Sequence, residues 1–411
     1  MNRRTRLLAA VVCGAAVASV YAGQPVLAPM GRDLDVPPDS LGWFVAAGQL
    51  GYLAGLVLLV PLGDMLDRRR LIAAHLALVS AGTAVTAAAT AAWAAFAGLA
   101  VAGVFAVVVQ TTVAYTAAVS PAAERGRDLG IVTSGVVIGI LGGRVVAGAL
   151  ADAWGWRSVY LALAVLAAVL APLALTLPAA DARPDAPGYG RILRSFGGLF
   201  VRPLFLGRGL VAFFLFASFG TLWSGMALPL AGPPWHLDEA QIGLFGLAGL
   251  AGALGAARSG RWGDAGHARR VTGIALVLLL ASWVAIGQLT WSLPLLVLGV
   301  ILLDFAVQAV HVSNQHALTA AYPGRTGSAI GGYMVFYSLG SAAGAAATTA
   351  LFDAAGWIGP TVLGATFALC ALAVRTIGEP APAPALGASR RIRADSGCAR
   401  ATMPGKSPPT E

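Results

Sequence analysis

Four polar side chains share one stripe of an otherwise apolar segment: Asp304, Gln308, His311 and Gln315, spaced i, i+4, i+7 and i+11. At 100° per residue they fall within an arc of about 60° on a helix. The aspartate can hold and release a proton, since burial favours the neutral acid and a nearby arginine favours the carboxylate. The histidine titrates near neutrality and suits a relay. A second isolated charge, Arg144, sits in another apolar segment. Each charge costs roughly 2.5–3.5 kcal/mol at the centre of a lipid-facing helix, so both are expected to point into a protein interior. The chemistry this allows is proton loading beside a polar cavity. The plainer alternatives are a static Asp304–Arg144 bridge or separate polar packing, and the sequence leaves open whether the two side chains touch. Other chemistry finds no support. The spans contain no His-Glu-x-x-His or Gly-x-Ser-x-Gly run, and Gly405-Lys406-Ser407 has Arg400 where a phosphate-binding loop needs its first glycine. Cys13 and Cys370 lie in apolar runs and Cys398 in a polar tail, without zinc or disulfide spacing. The expectation is a non-enzyme with no cofactor and no metal.

The elements that must position these groups follow from composition. The 411 residues are 58% hydrophobic and 11% charged, with mean hydropathy +0.77. Soluble domains carry about 25% charge, so a water-soluble globular enzyme is excluded. A bilayer core takes roughly 20 apolar residues per helix. Runs bounded by Gly, Pro or charge predict helices near 7–29, 41–62, 71–92, 94–119, 129–151, 157–177, 204–230, 239–257, 271–289, 293–317, 328–351 and 357–376. The first could be misread as a cleaved leader, but its apolar character continues to Met30 and eleven spans follow. The net charge of +9 is not a nucleic-acid signature, because its distribution follows the membrane. With the N-terminus in the cytoplasm, 24 of the 27 basic residues fall on the cytoplasmic side, leaving Arg32, Arg157 and Arg144. The expected location is the cell membrane, multi-pass, with both termini cytoplasmic.

The chain also repeats itself at an offset of about 200 residues, which predicts two like halves. Gly63-x-x-x-Asp67 followed by arginines recurs as Gly260-x-x-x-Asp264 before Arg269 and Arg270. Pro121 before Arg125 recurs as Pro323 before Arg325. Leu150-Ala-Asp152-Ala-Trp-Gly155-Trp156 recurs as Leu351-Phe-Asp353-Ala-Ala-Gly356-Trp357. The expected fold is all-α and integral to the membrane, with twelve transmembrane helices in two pseudo-symmetric six-helix bundles. Residues 1–178 form the first bundle, 179–203 a cytoplasmic linker and 204–377 the second bundle. A Pro/Ala/Arg-rich tail, 378–411, is expected to be disordered. Asp67 beside Arg68, Arg69 and Arg70 suits a latch that pairs with a neighbouring helix end in one conformation and releases it in another. The alternative is a solvated loop whose arginines only fix topology.

At Gly63-Asp-Met-Leu-Asp67-Arg68-Arg69-Arg70 the sequence resembles the major facilitator superfamily over roughly residues 7–377. The loop is shorter than that family's and lacks its second glycine, while the copy from Gly260 to Arg270 keeps the fuller spacing. With Gln24-Pro25 in helix 1 and the helix 10 stripe, the chain is similar to the twelve-helix drug-and-metabolite exporter branch. The resemblance implies proton-coupled export of a small molecule by alternating access, in a protein that works as a monomer; the alternatives are uptake or facilitated diffusion of a small solute, and a membrane-embedded sensor or enzyme that transports nothing. It also places helices 1, 4, 7 and 10 around a central cavity. Tyr21 and Gln24 of helix 1 and Gln110 of helix 4 join Asp304, Arg144, His311, Gln308 and Gln315 as cavity residues on that basis. Ser218, Thr221 and Trp223 of helix 7 and Tyr333 and Tyr337 of helix 11 are weaker candidates. Helix 4 lacks the intramembrane arginine of many proton-coupled relatives, and Arg144 of helix 5 is the residue available to substitute. Glycines at 135, 139, 142, 143 and 148, and at period three from Gly243 to Gly255, read as close-packing faces.

Overall fold

The structure is a computed structural model that describes residues 1–121, 124–179, 189–190, 197–262, 268–322 and 326–378. Among the described residues twelve helical segments are long and apolar enough to cross a membrane. In chain order they are α1 (Arg3–Asp33), α2 (Pro38–Leu58), α3 (Arg68–Ala87), α4 (Ala92–Val119), α5 (Arg125–Trp154), α6 (Trp156–Ala174), α7 (Pro203–Ala231), α8 (Glu239–Ala256), α9 (Arg269–Thr290), α10 (Leu293–Ala321), α11 (Gly327–Ala355) and α12 (Ile358–Ile377). No strand occurs among the described residues.

Several segments depart from the predicted bounds for local reasons. α1 runs as a helix to Tyr21, tightens into a 3-10 turn over Gln24–Val26 and resumes over Leu27–Asp33. Pro25 lacks an amide hydrogen, which removes one rung of the helical ladder there. α2 ends at Leu58 rather than 62, where the chain passes into the 3-10 turn Val60–Asp64 with Pro61 as its second residue. α3 ends at Ala87, short of the predicted 92. The helix of α8 continues to Trp262, so Gly260 lies in its last turn and not in a loop. Asp264, Pro323, Arg325 and the tail from 379 lie outside the described residues, as does most of the predicted linker.

The halves pack alike. α1 lies on α5 and α7 on α11; α2 lies on α4 and α8 on α10; α3 lies on α6 and α9 on α12. The repeated Gly-Trp pairs perform one task twice. Gly155 and Gly356 adopt φ of 78° and 61°, and their amides close the preceding helices on Ala151 and Phe352 at 2.7 and 2.8 Å. A side chain is strained at such φ, so glycine makes both turns. Trp156 and Trp357 bury themselves immediately after.

Two ends of the bundle can be told apart by chemistry. Trp43, Trp93, Trp154 and Trp291 are all exposed and sit at the ends of α2, α4, α5 and α9 on one face, as expected of an interfacial aromatic belt. The opposite face carries the N-terminus and the arginines at 68–70 and 125–127. Between them, exposed Val146, Leu161, Val165, Ile274, Val284 and Val362 form an apolar girdle.

The halves meet chiefly toward the tryptophan face. There Gly42 N–H donates to Thr349 Oγ1 at 3.1 Å, and that hydroxyl donates to the Asp39 carbonyl at 2.7 Å. Gly148 of α5 abuts Glu239 and Gly243 of α8. Toward the arginine face each helix returns to its own half: Gly135 and Gly139 of α5 pack on Ala10 and Gly14 of α1, and Gly252 of α8 packs on Ile301 of α10. The glycine stripes therefore serve as packing faces, each split between two partners.

Candidate functional site

Where the halves meet at mid-depth, α5 delivers Arg144 to the interior, 1% exposed. Its Nε donates to Gln24 Oε1 at 2.8 Å and its Nη1 to the Ile140 carbonyl one turn back at 2.8 Å. The guanidinium lies over the Trp223 ring, 3.9 Å from its centroid, with Phe219 and Tyr21 at 5.6 and 5.7 Å. Gln24 reaches across to Ser224 at 3.4 Å. The break at Pro25 places Gln24 here, where the helical ladder of α1 is interrupted.

Asp304 on α10 approaches from the second half and is 3% exposed. It makes no ion pair with Arg144 within 4 Å, so the static bridge is not formed in this structure; Oδ2 of Asp304 and Nη2 of Arg144 are both buried without a hydrogen-bond partner. The Trp223 indole stands close to the carboxylate, with its Nε1 also unpartnered. Gly249 of α8 makes this arrangement fit: a methyl group there would lie 2.8 Å from Trp223 Cζ2, 3.0 Å from Leu141 Cδ2 and 3.1 Å from Asp304 Oδ2. A small cavity of about 10 Å³ lies beside the arginine, lined by Gln24, Pro25, Arg144, Trp223, Met226, Ala227 and Ile242.

The rest of the α10 stripe faces other partners. His311 is held within the second half, Nδ1 3.1 Å from Tyr333 Oη and Nε2 3.1 Å from Gln315 Nε2, with Phe216 edge-on at 5.2 Å. Gln308 is half-buried between the two groups. In the first half Gln110 bonds the Tyr52 hydroxyl at 2.8 Å. Tyr21 and Tyr337 share a hydrogen bond across the halves. Beside Tyr21, Gln49 is fully buried with both amide atoms unpartnered. Ser338 and Ser341 of α11 are likewise buried and unpartnered.

The Gly63 loop is organised around its own helix. Asp67 caps α3, accepting from Arg69 N–H at 3.0 Å, and its Oδ2 lies 3.3 Å from Arg69 Nε and 3.7 Å from Arg70 Nε. Arg68 Nε donates to the Gly63 carbonyl at 2.7 Å. At the repeat position, Arg269 and Arg270 open α9, and the Arg269 carbonyl accepts from Arg375 at 2.7 Å.

The structure thus gathers Arg144, Gln24, Tyr21 and Asp304, and sets His311 with Gln315 apart from Gln110. The sequence reading missed Gln49, Tyr52 and Ser341, and treated Gly249 as packing alone. Gln49 and Tyr52 share α2 one turn apart, but Ser341 is on α11 and Gly249 on α8, so no spacing within one segment joins all four. Among the described residues no three His, Cys, Asp or Glu side chains gather as a metal site.

These features define a polytopic helical membrane protein of two like halves with a polar site between them. Residues 7–230 and 209–400 match the Major Facilitator Superfamily. YgaY of Escherichia coli, an uncharacterized transporter, is 40% identical over 370 residues, which is 90% of this chain and 94% of YgaY. The Mycobacterium tuberculosis multidrug resistance protein Stp is 30% identical over 169 residues, 39% of this chain and 31% of Stp. The crystal structure of a bacterial homologue of the human lysosomal transporter Spinster, inward-facing and unoccupied, has a TM-score of 0.74 at 16% identity, covering 93% of this chain and all of that one. The chain belongs to the Major Facilitator Superfamily.

Proposed function

We propose that this membrane transporter is a proton-coupled exporter of a small molecule that works by alternating access. The observation that carries this reading is the pair of isolated charges, Arg144 and Asp304, buried from opposite halves beside one pocket and free of any ion pair between them. Buried charges that held the halves together would be paired; an unpaired buried charge is costly and is retained where something binds or moves. Asp304 is the proton carrier, taking Arg144 as partner in one state and a proton in another. The halves, residues 1–178 and 204–377, rock about this site. The contacts at Gly42–Thr349 and Gly148–Gly243 join the halves toward the tryptophan face in the state described.

The arginine face is cytoplasmic, as the clustering of basic residues favours, so the protein lies in the cell membrane with its N-terminus inside. Export is favoured by the partial likeness to Stp and by the exporter-type features of the sequence. The Asp67 cap releases its arginines to a neighbouring helix end when the arginine face closes. One chain suffices, since both halves and the site lie within it.

The test is reconstitution in liposomes with a panel of small molecules and a pH-sensitive dye inside. The expected result is substrate movement that shifts internal pH in wild-type protein and not in Asp304→Asn. Substrate movement with no pH change would remove the proton coupling. Net accumulation in cells in place of depletion would reverse the direction to uptake.

A further inference from the structure

The pocket beside Arg144 is lined almost wholly by uncharged groups, and the arginine is the exception. Gln24, Pro25, Trp223, Met226, Ala227 and Ile242 are neutral; the Asp304 carboxylate is not part of the lining. The guanidinium is 1% exposed, and its Nη2 has no partner although Nε and Nη1 are both bonded. Those two bonds go to neutral acceptors, an amide and a carbonyl, and the one anion acting on the group is the Asp304 carboxylate. Once Asp304 takes a proton, they orient a guanidinium whose charge is uncompensated. A buried charge in this condition is strongly destabilising until a counter-charge arrives. The guanidinium fork is also planar and pre-set by Gln24, which suits paired hydrogen bonds to a carboxylate. Trp223 lies flat beneath it and extends the surface with an aromatic face, and Met226 adds a polarizable wall.

We infer that the transported molecule is an organic anion, a monocarboxylate with an aromatic or apolar body, whose carboxylate docks on Arg144 Nη2 while its body lies along Trp223 and Met226. This rests on the reading of the midplane site as the transport site and adds the charge class of its cargo. In the state described the cavity is about 10 Å³, room for about one water, so the acid enters as the two halves part and widen it.

Purified protein in detergent is titrated with three probes of one shape: 4-phenylbutyrate, its amide 4-phenylbutyramide and the amine 4-phenylbutylamine. Binding is read by tryptophan fluorescence. The carboxylate is expected to bind at least about tenfold more tightly than the amide or amine, the scale of a hydrogen bond to a charged group. Arg144→Gln abolishes that preference, and Arg144→Lys restores part of it, because the charge returns without the fork. Circular dichroism and thermal unfolding confirm that the variants are folded. Equal or tighter binding of the amine or amide overturns the inference. So does a carboxylate preference that survives in folded Arg144→Gln, or no binding of any probe at millimolar concentration. Liposome flux separates this from the transport reading: a protein that binds the carboxylate but moves nothing keeps the anion site and loses the transporter assignment. Flux indifferent to charge does the reverse.

Discussion

Asp304 and His311 lie on one face of one helix, two turns apart, yet their surroundings differ in kind. His311 has both ring nitrogens engaged by Tyr333 and Gln315, neighbours in its own half. Asp304 faces the other half, leaves a carboxylate oxygen unpartnered and shares a tryptophan with a charge it does not touch. A satisfied group resists change; an unsatisfied one where two halves meet is open to a new partner. The difference separates an unsatisfied seam, where the proposed transport chemistry falls, from a satisfied stripe below it.

Substitutions can break or sharpen that contrast. The largest effect is expected at the seam: Arg144→Gln or Asp304→Asn lowers transport in liposomes by about a hundredfold, as does removal of one positioned charge-stabilising donor in an active site. Retained flux in both would erase the distinction. Gly249→Val comes next, because its side chain enters the space between Trp223, Leu141 and Asp304. Overpacking of this kind costs about 1–3 kcal/mol, and the measurable result is lost probe binding in a protein that still purifies as a monodisperse species. Asp67→Ala removes a helix cap at a cost of about 1 kcal/mol, read as a lower unfolding temperature. Tyr337→Phe removes the hydroxyl partner of Tyr21 across the halves. It is expected to shift the balance of inward and outward states by about 0.5–1.5 kcal/mol, measured by labelling of cysteines placed on each face. His311→Gln has the smallest consequence, a change in transport of under about threefold, because glutamine can bond the same neighbours. A loss at His311 as large as at Asp304 would make the whole stripe one site.

The same contrast explains what could be read in advance. Twelve spans and their order follow from runs of apolar residues, and the doubling follows from Gly155-Trp156 and Gly356-Trp357, whose turns require glycine in both places. Helix ends were less legible, because the chain passes into the 3-10 turn Val60–Asp64 before the apolar run is over. Arg144 and Asp304 stood out because charge in a span is rare. Gln49, Ser341 and the indole of Trp223 did not, since a polar or aromatic residue in a span has many ordinary uses and only its neighbours show which applies.

Composition by itself determined that the chain lives in lipid, in two related halves, with two charges that lipid cannot solvate. Those are properties of single residues and single segments, and hydrophobicity and period are enough to fix them. Tertiary structure alone decided that Arg144 binds Gln24 rather than Asp304, that Trp223 stands between the charges and that His311 belongs to its own half. The Arg144–Gln24 pair spans 120 positions and Trp223 lies 79 and 81 positions from the two charges, and only the packing of helices against one another chooses such partners.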